Sequence, residues 1–332
     1  MILESHWSKS SGPDKNPEIG WSAFKLRRLF LSRQGKMEKL HGIVVPMITP
    51  FKGEDMSEID HATLRTLTNF LIENGVNALM INGTSGEFLL QTLDERKAAV
   101  RTVVNAAAGR VPVISGISES STIKAIDLGL DAEDAGANAV LATGPIYYRT
   151  TDEGLFKHFS SILDKVRLPL MIYNIPSWIG YNIPALLVKR LEERYPGRIY
   201  GVKFTTNDLE LFLEYLRVLK GIVPVTIGSD ALILSALQLG ADGATVGVAN
   251  VLPEETGRIY RLFVEKRYAE AIDAQNKIDG YVQTMGLGTF PAAVKEALRF
   301  LGMDCGWPRS PLLPLEESQA KEVRESLSWK KM

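Results

Sequence analysis

The sequence predicts an α/β fold, a (β/α)8 TIM barrel with a C-terminal helical extension, on three observations. From His41 onward one unit recurs: a short apolar run, a Gly or polar residue at its end, then a helical pattern. The runs are continuous rather than alternating, as expected of strands buried on both faces of a parallel sheet. Eight such units over about 230 residues suit a closed barrel better than an open sheet.

In chain order the expected strands are the runs from Gly42 to Ile48, Ala78 to Ile81, Val111 to Ser115, Ala139 to Ala142, Leu168 to Tyr173, Ile199 to Lys203, Val223 to Ile227 and Gly243 to Val246. Pro112, Pro169 and Pro224 stand near the starts of their runs, where a missing amide donor is tolerable. Amphipathic helices are expected between the strands. The clearest follows Lys203, where Leu209, Phe212, Leu213 and Leu216 keep helical spacing behind a cap at Thr206 or Asn207. Glu265 to Leu327 reads as two or three helices, broken near Gly286-Leu287-Gly288 and Trp307-Pro308. The expected organisation is an extension over 1–36, the barrel over 37–264 and a helical region over 265–332.

Composition narrows the functional classes. The 332 residues are 45% hydrophobic and 23% charged, enough for a large core. A formal net charge of −1 gives no basic surface for nucleic acid or an anionic membrane, so neither is expected as a partner. Cys305 is the only cysteine, which leaves no intrachain disulfide or cysteine-based zinc site and points to a reducing, cytoplasmic setting. It reads as a small packing residue. His6, His41, His61 and His158 show no ligand spacing, so no metal is expected. No apolar stretch reaches the roughly 20 residues of a membrane helix.

Residues 1–36 differ in character. Ser8 to Pro17 is polar and broken by Gly12 and Pro13, and Lys25-Leu26-Arg27-Arg28-Leu29-Phe30-Leu31 is basic and amphipathic. A targeting peptide and a misassigned start before Met37 both fit, although Glu4, Asp14 and Glu18 are atypical of a transit sequence.

In a barrel the C-terminal strand ends carry the chemistry. Lys203 ends the sixth run and Tyr173 the fifth, thirty positions earlier. If these strands are parallel neighbours, an amine and a phenol face one cavity. A lysine amine ordinarily has a pKa of about 10.4, and burial disfavours its charged form, as a Schiff-base nucleophile requires. Gly83-Thr84-Ser85-Gly86-Glu87, after the second run, places two hydroxyl residues between two glycines, a loop able to hold a carboxylate.

The Gly83-to-Glu87 loop, Tyr173-Asn174-Ile175-Pro176 and Gly201-Val202-Lys203, in that order at the ends of strands 2, 5 and 6, resemble the dihydrodipicolinate synthase and N-acetylneuraminate lyase superfamily over residues 39 to about 315. The resemblance implies that Lys203 forms an imine with pyruvate and that Tyr173 shuttles protons. It implies that Thr84 and Ser85 hold the pyruvate carboxylate and link Tyr173 into a relay, with Gly83 and Gly86 as substrate-binding residues of the same loop. Tyr147 matches a tyrosine that in several members reaches into a neighbouring subunit's site; a one-residue gap would give that role to Tyr148. Gly228 and Thr245, at the ends of strands 7 and 8, fall at substrate-binding positions. The implied partners are pyruvate and an aldehyde or a 2-keto-3-deoxy acid, with no cofactor beyond the covalent imine, in a homo-oligomer built as a dimer of dimers.

One position departs from the pattern. Synthases acting on aspartate semialdehyde typically carry an arginine five positions after the tyrosine, and here that position is Trp178, which cannot replace a bidentate cationic fork. The Tyr147-Tyr148 pair and the segment Trp307-Pro308-Arg309-Ser310-Pro311-Leu312-Leu313-Pro314-Leu315 look more like 2-keto-3-deoxygluconate aldolases. The expected function is therefore a class I aldolase of that kind. The alternative is a 4-hydroxy-tetrahydrodipicolinate (dihydrodipicolinate) synthase, with neuraminate lyase and hydroxy-oxoglutarate aldolase behind it. A non-catalytic keto-acid-binding barrel would have no need for an imine-forming amine.

Overall fold

The structure, a computed structural model, describes residues 40–331. The expectations for residues 1–36 lie outside the described residues. Eight parallel strands close into a barrel: β1 (Gly42–Pro46), β2 (Ala78–Ile81), β3 (Val113–Gly116), β4 (Ala139–Ala142), β5 (Leu170–Asn174), β6 (Ile199–Phe204), β7 (Val225–Ile227) and β8 (Gly243–Thr245). Each pairs with the next, and β8 pairs back onto β1, so no edge is left open. A small antiparallel pair, Phe51–Lys52 with Glu58–Ile59, follows β1.

The strands alternate with α1 (His61–Glu73), α2 (Leu93–Ala107), α3 (Thr122–Asp134), α4 (Asp152–Lys165), α5 (Ala185–Arg194), α6 (Leu209–Leu219), α7 (Ile233–Leu239) and α8 (Pro253–Val264). Local chemistry sets their starts. Asp60 accepts from the amides of Ala62 and Thr63 ahead of α1, and Thr92 and Glu95 form a reciprocal capping box on α2. α6 corrects an expectation: its cap is Asp208, which accepts from Leu211 N–H at 3.0 Å, while Thr206 accepts from the Asp208 amide one step upstream. The carboxylate, three residues before that donor, takes the cap position that Thr206 and Asn207 are too early to fill.

Three strands begin later than their apolar runs. β3, β5 and β7 start one residue after Pro112, Pro169 and Pro224, because proline has no amide to give the ladder. Their carbonyls are still used, accepting from Leu79, Val140 and Val202 at 3.0, 3.0 and 2.8 Å. At the other ends β5 and β6 run one residue beyond Tyr173 and Lys203, to Asn174 and Phe204.

After α8 come three helices, α9 (Tyr268–Thr284), α10 (Ala292–Phe300) and α11 (Glu317–Ser326). α10 is buried throughout from Ala292 to Leu298, two charged residues included, because it packs against α11 and against the loop after β8. Cys305 is buried in this region, as a packing residue would be, and burial pushes its thiol up to about 12. Among the described residues no helix is long and apolar enough to cross a membrane.

Candidate active site

Strand register brings the amine and the phenol together. Tyr173 on β5 pairs directly with Lys203 on β6, and Lys203 in turn pairs with Thr226 on β7. Side chains alternate along a strand. Phe204 points outward, its ring centroid 6.0 Å from Phe212 and 4.4 Å from Tyr215 on α6, so Lys203 points into the barrel. Lys203 is 4% exposed, and its Nζ lies 4.2 Å from the centroid of the Tyr173 ring. Among the described residues it forms no ion pair. The carboxylate whose charge acts on it is Asp230, which accepts from Val248 N–H at 2.6 Å; burial raises the Asp230 pKa, against the pull of that amide and of Lys203.

Above the amine lies a cavity of about 160 Å³. Lys203, Tyr173, Thr84 and Ser85 line it, with Trp178, Gly228 and Thr245. Thr84–Gly86 forms a single 3-10 turn whose bonds use the amides of Gly86 and Glu87, which leaves those of Thr84 and Ser85 as its leading donors. Gly83 and Gly86 belong to this turn's backbone and do not line the cavity. Tyr147 and Tyr148 also lie outside it, 87% and 68% exposed and stacked edge to face. Tyr147 holds φ at 75°, a costly conformation for a non-glycine residue.

The hydroxyl in contact with Tyr173 differs from the expected one. Thr205 donates to the Tyr173 oxygen over 3.5 Å, a long contact, whereas the sequence pointed to Thr84. A Cβ at Gly228 would stand 1.9 Å from Thr205 Oγ1, so glycine at 228 is what lets Thr205 occupy this wall. Thr205 was nonetheless legible: two residues beyond an inward lysine, the period of a strand turns it inward as well. Asp230 stands two residues beyond Gly228 and carries no sequence signal of its own. Phe290, from the segment before α10, reaches the same cavity with no local signal to announce it.

The loop carrying Thr84 and Ser85 is held from below. Glu87 adopts φ 58°, and its carboxylate pairs with Lys295 of α10 at 2.8 Å and accepts from Arg309 N–H at 2.8 Å. Lys295 also donates to Trp307 O at 3.0 Å. The Arg309 guanidinium donates to Met56 O, Ser57 O and Leu90 O and forms a two-point pair with Glu95. The C-terminal helical region therefore positions the turn that carries Thr84 and Ser85.

Among the described residues no cluster of three or more His, Cys, Asp or Glu could hold a metal ion. The two histidines inside helices are engaged with hydroxyls, His61 with Thr102 and His158 with Thr122, both at 2.8 Å.

A closed parallel barrel with a buried lysine that forms no ion pair among the described residues, beside a phenol and a hydroxyl turn, fits the pyruvate-dependent Schiff-base class. The model of the dihydrodipicolinate synthetase family matches residues 39–330, and the chain belongs to that family. A 4-hydroxy-tetrahydrodipicolinate synthase of Methanocaldococcus jannaschii is 36% identical over 286 residues, which cover 86% of this chain and 97% of that one. Among solved structures, the 4-hydroxy-tetrahydrodipicolinate synthase of Methylacidiphilum fumariolicum SolV superposes with a TM-score of 0.84 at 31% identity, covering 88% of this chain and 96% of that one. YagE of E. coli K12, a prophage protein of the same family in complex with pyruvate, gives a TM-score of 0.83 at 28% identity, covering 88% and 99%. The synthase names favour the alternative over the expected 2-keto-3-deoxygluconate aldolase.

Proposed function

We propose that the protein joins pyruvate to an aldehyde through an imine on Lys203, in the manner of its relatives named 4-hydroxy-tetrahydrodipicolinate synthase. The observation that carries this is the direct pairing of Tyr173 with Lys203 at the mouth of a cavity that also holds Thr84 and Ser85. The Lys203 amine adds to the keto carbon of pyruvate and water leaves. The protonated imine then draws electrons from the methyl group, which loses a proton to give an enamine. The enamine carbon attacks the aldehyde carbon, the aldehyde oxygen takes up a proton, and water releases a 4-hydroxy-2-oxo acid with the free amine. Tyr173 supplies and removes protons beside the amine, aided by Thr205 and Thr84. Ser85 and the leading amides of the turn orient the carboxylate.

The relatives' synthase names point to aspartate semialdehyde as their aldehyde, whereas this chain has Trp178 where a cation would meet that substrate's tail. An aldolase acting on 2-keto-3-deoxy acids is the second reading, favoured by the absence of a guanidinium at Trp178. For assembly, the exposed and strained Tyr147 supports a homo-oligomer in which it acts on the site of a neighbouring copy. The reaction as written needs no metal or nucleotide.

Enamine formation is testable with pyruvate alone. In D2O the protein is expected to exchange the methyl protons of pyruvate, followed by NMR, at a rate unchanged after dialysis against EDTA. Absence of exchange by folded protein would overturn the proposal, and loss of exchange with EDTA would overturn its metal-free form.

A further inference from the structure

Next to the Lys203 cavity lies a second one of about 220 Å³, and the two share Thr84, Ile175, Trp178 and Phe290 as walls. The Trp178 and Phe290 rings meet edge to face with centroids 6.4 Å apart and stand between the two spaces. The rest of the second cavity is chiefly apolar, with Phe88, Leu90, Ile146 and Ile179 on its wall. Its size suits one ring or a branched chain, since an apolar cavity of about 150 Å³ already holds a benzene molecule.

Its polar side chains are few: Thr84, Glu87, Thr143 and Thr289. Thr143 donates its hydroxyl to Gly144 O at 2.7 Å. The charged residue on the wall is Glu87, whose fully buried carboxylate is held by Lys295 and the Arg309 amide. No lysine or arginine lines the space. Arg149, whose guanidinium would stand 4.0 Å from a Cβ at Gly180, is exposed and is not among the lining residues. A carboxylate entering here would give up hydration without gaining a cation, because the one charged residue on the wall is a carboxylate already paired with Lys295.

We propose that this cavity seats the tail of the aldehyde and that the preferred aldehyde carries an uncharged apolar tail, aromatic or branched aliphatic, in place of the charged tail of aspartate semialdehyde. The inference rests on Lys203 holding pyruvate as an imine. The enamine carbon attacks the aldehyde carbon at the shared wall, while the tail lies between Trp178 and Ile179. The product is a 4-hydroxy-2-oxo acid with an apolar substituent on the hydroxyl-bearing carbon, formed without loss of any other group.

The test uses the full chain with pyruvate and four aldehydes: benzaldehyde, 3-methylbutanal, aspartate semialdehyde and glyceraldehyde. Exchange of the pyruvate methyl protons reports on the imine independently of any aldehyde. With exchange intact, kcat/KM for benzaldehyde or 3-methylbutanal is expected to exceed that for aspartate semialdehyde by about tenfold or more. In Trp178→Arg the ratio, measured within the variant, is expected to shift towards aspartate semialdehyde by a similar factor. Intact exchange with aspartate semialdehyde or glyceraldehyde preferred by wild type overturns the inference and leaves the imine standing. Intact exchange with no preference among the four assigns the cavity to another occupant, such as a second copy of the chain, and overturns it equally.

Discussion

Lys203 and Lys295 are both buried, 4% and 0% exposed, and each amine lies 4.2 Å from an aromatic centroid, Tyr173 for one and Phe51 for the other. They differ in what answers their charge. Lys295 has Glu87 at 2.8 Å and the carbonyl of Trp307 at 3.0 Å, and burial lowers its pKa against the pull of that carboxylate. Lys203 has no ion-pair partner among the described residues and opens on a cavity. A buried amine with a matched carboxylate is a structural joint. A buried amine beside a phenol and an open space is available to a carbonyl carbon.

The comparison is broken most sharply at Lys203. Lys203→Ala is expected to lower turnover by about 10³-fold or more, with stability within about 1 kcal/mol of wild type or higher, since the lost amine had no ion pair to break. Steady-state rates and urea denaturation measure the two halves separately. A large loss of stability would show Lys203 to be a second joint.

Tyr173→Phe keeps the ring under the amine and removes only the hydroxyl. It is expected to reduce kcat by roughly 10²-fold while pyruvate still attaches to Lys203. Loss of attachment with an unchanged kcat among the molecules that do react would place the phenol in binding instead.

At the other lysine the effect should fall on stability. Lys295→Met leaves the Glu87 carboxylate buried without a cation and is expected to cost about 3–5 kcal/mol, read from the denaturation midpoint. Glu87→Gln combined with Lys295→Met should recover part of that loss, because both charges are gone. Activity should follow the fold of the Thr84-Ser85 turn, not the amine itself.

The smallest effect tests a buried base away from both lysines. Burial on α4 lowers the His158 pKa to about 4, from an ordinary value near 6.5. A folded-state pKa below the unfolded one means that the unfolded chain binds the proton more tightly. The neutral histidine's contribution to stability is therefore complete above about pH 6.5 and is lost as pH falls towards 4, by up to about 3 kcal/mol. His158→Asn should flatten the stability profile in that window, and an unchanged slope would contradict this role for His158.

The barrel was legible because its strands are written as apolar runs and three of them are punctuated by proline, and at those three the strand begins two residues after the run does, just past the proline. Lys203 and Tyr173 were legible because an amine or a phenol closing an apolar run breaks the pattern before it, and the strand ends of a barrel are where such groups reach a substrate. Thr84 and Ser85 came with the glycines around them. The relation between Glu87 and Lys295 was not legible, since the two are far apart in the chain and Lys295 sits in a segment that looks like an ordinary charged helix until α11 and the loop after β8 close over it. Phe290 was hidden for the same reason. Trp178 was noticed as a missing cation, but its meaning as the wall of an apolar space required Phe290 beside it.

The two lysines are told apart most directly by incubation with pyruvate and borohydride, digestion, and mass spectrometry of the peptides containing Lys203 and Lys295. A reduced pyruvyl adduct is expected on Lys203 and none on Lys295. An adduct on Lys295, or none on Lys203 in folded protein, would contradict it.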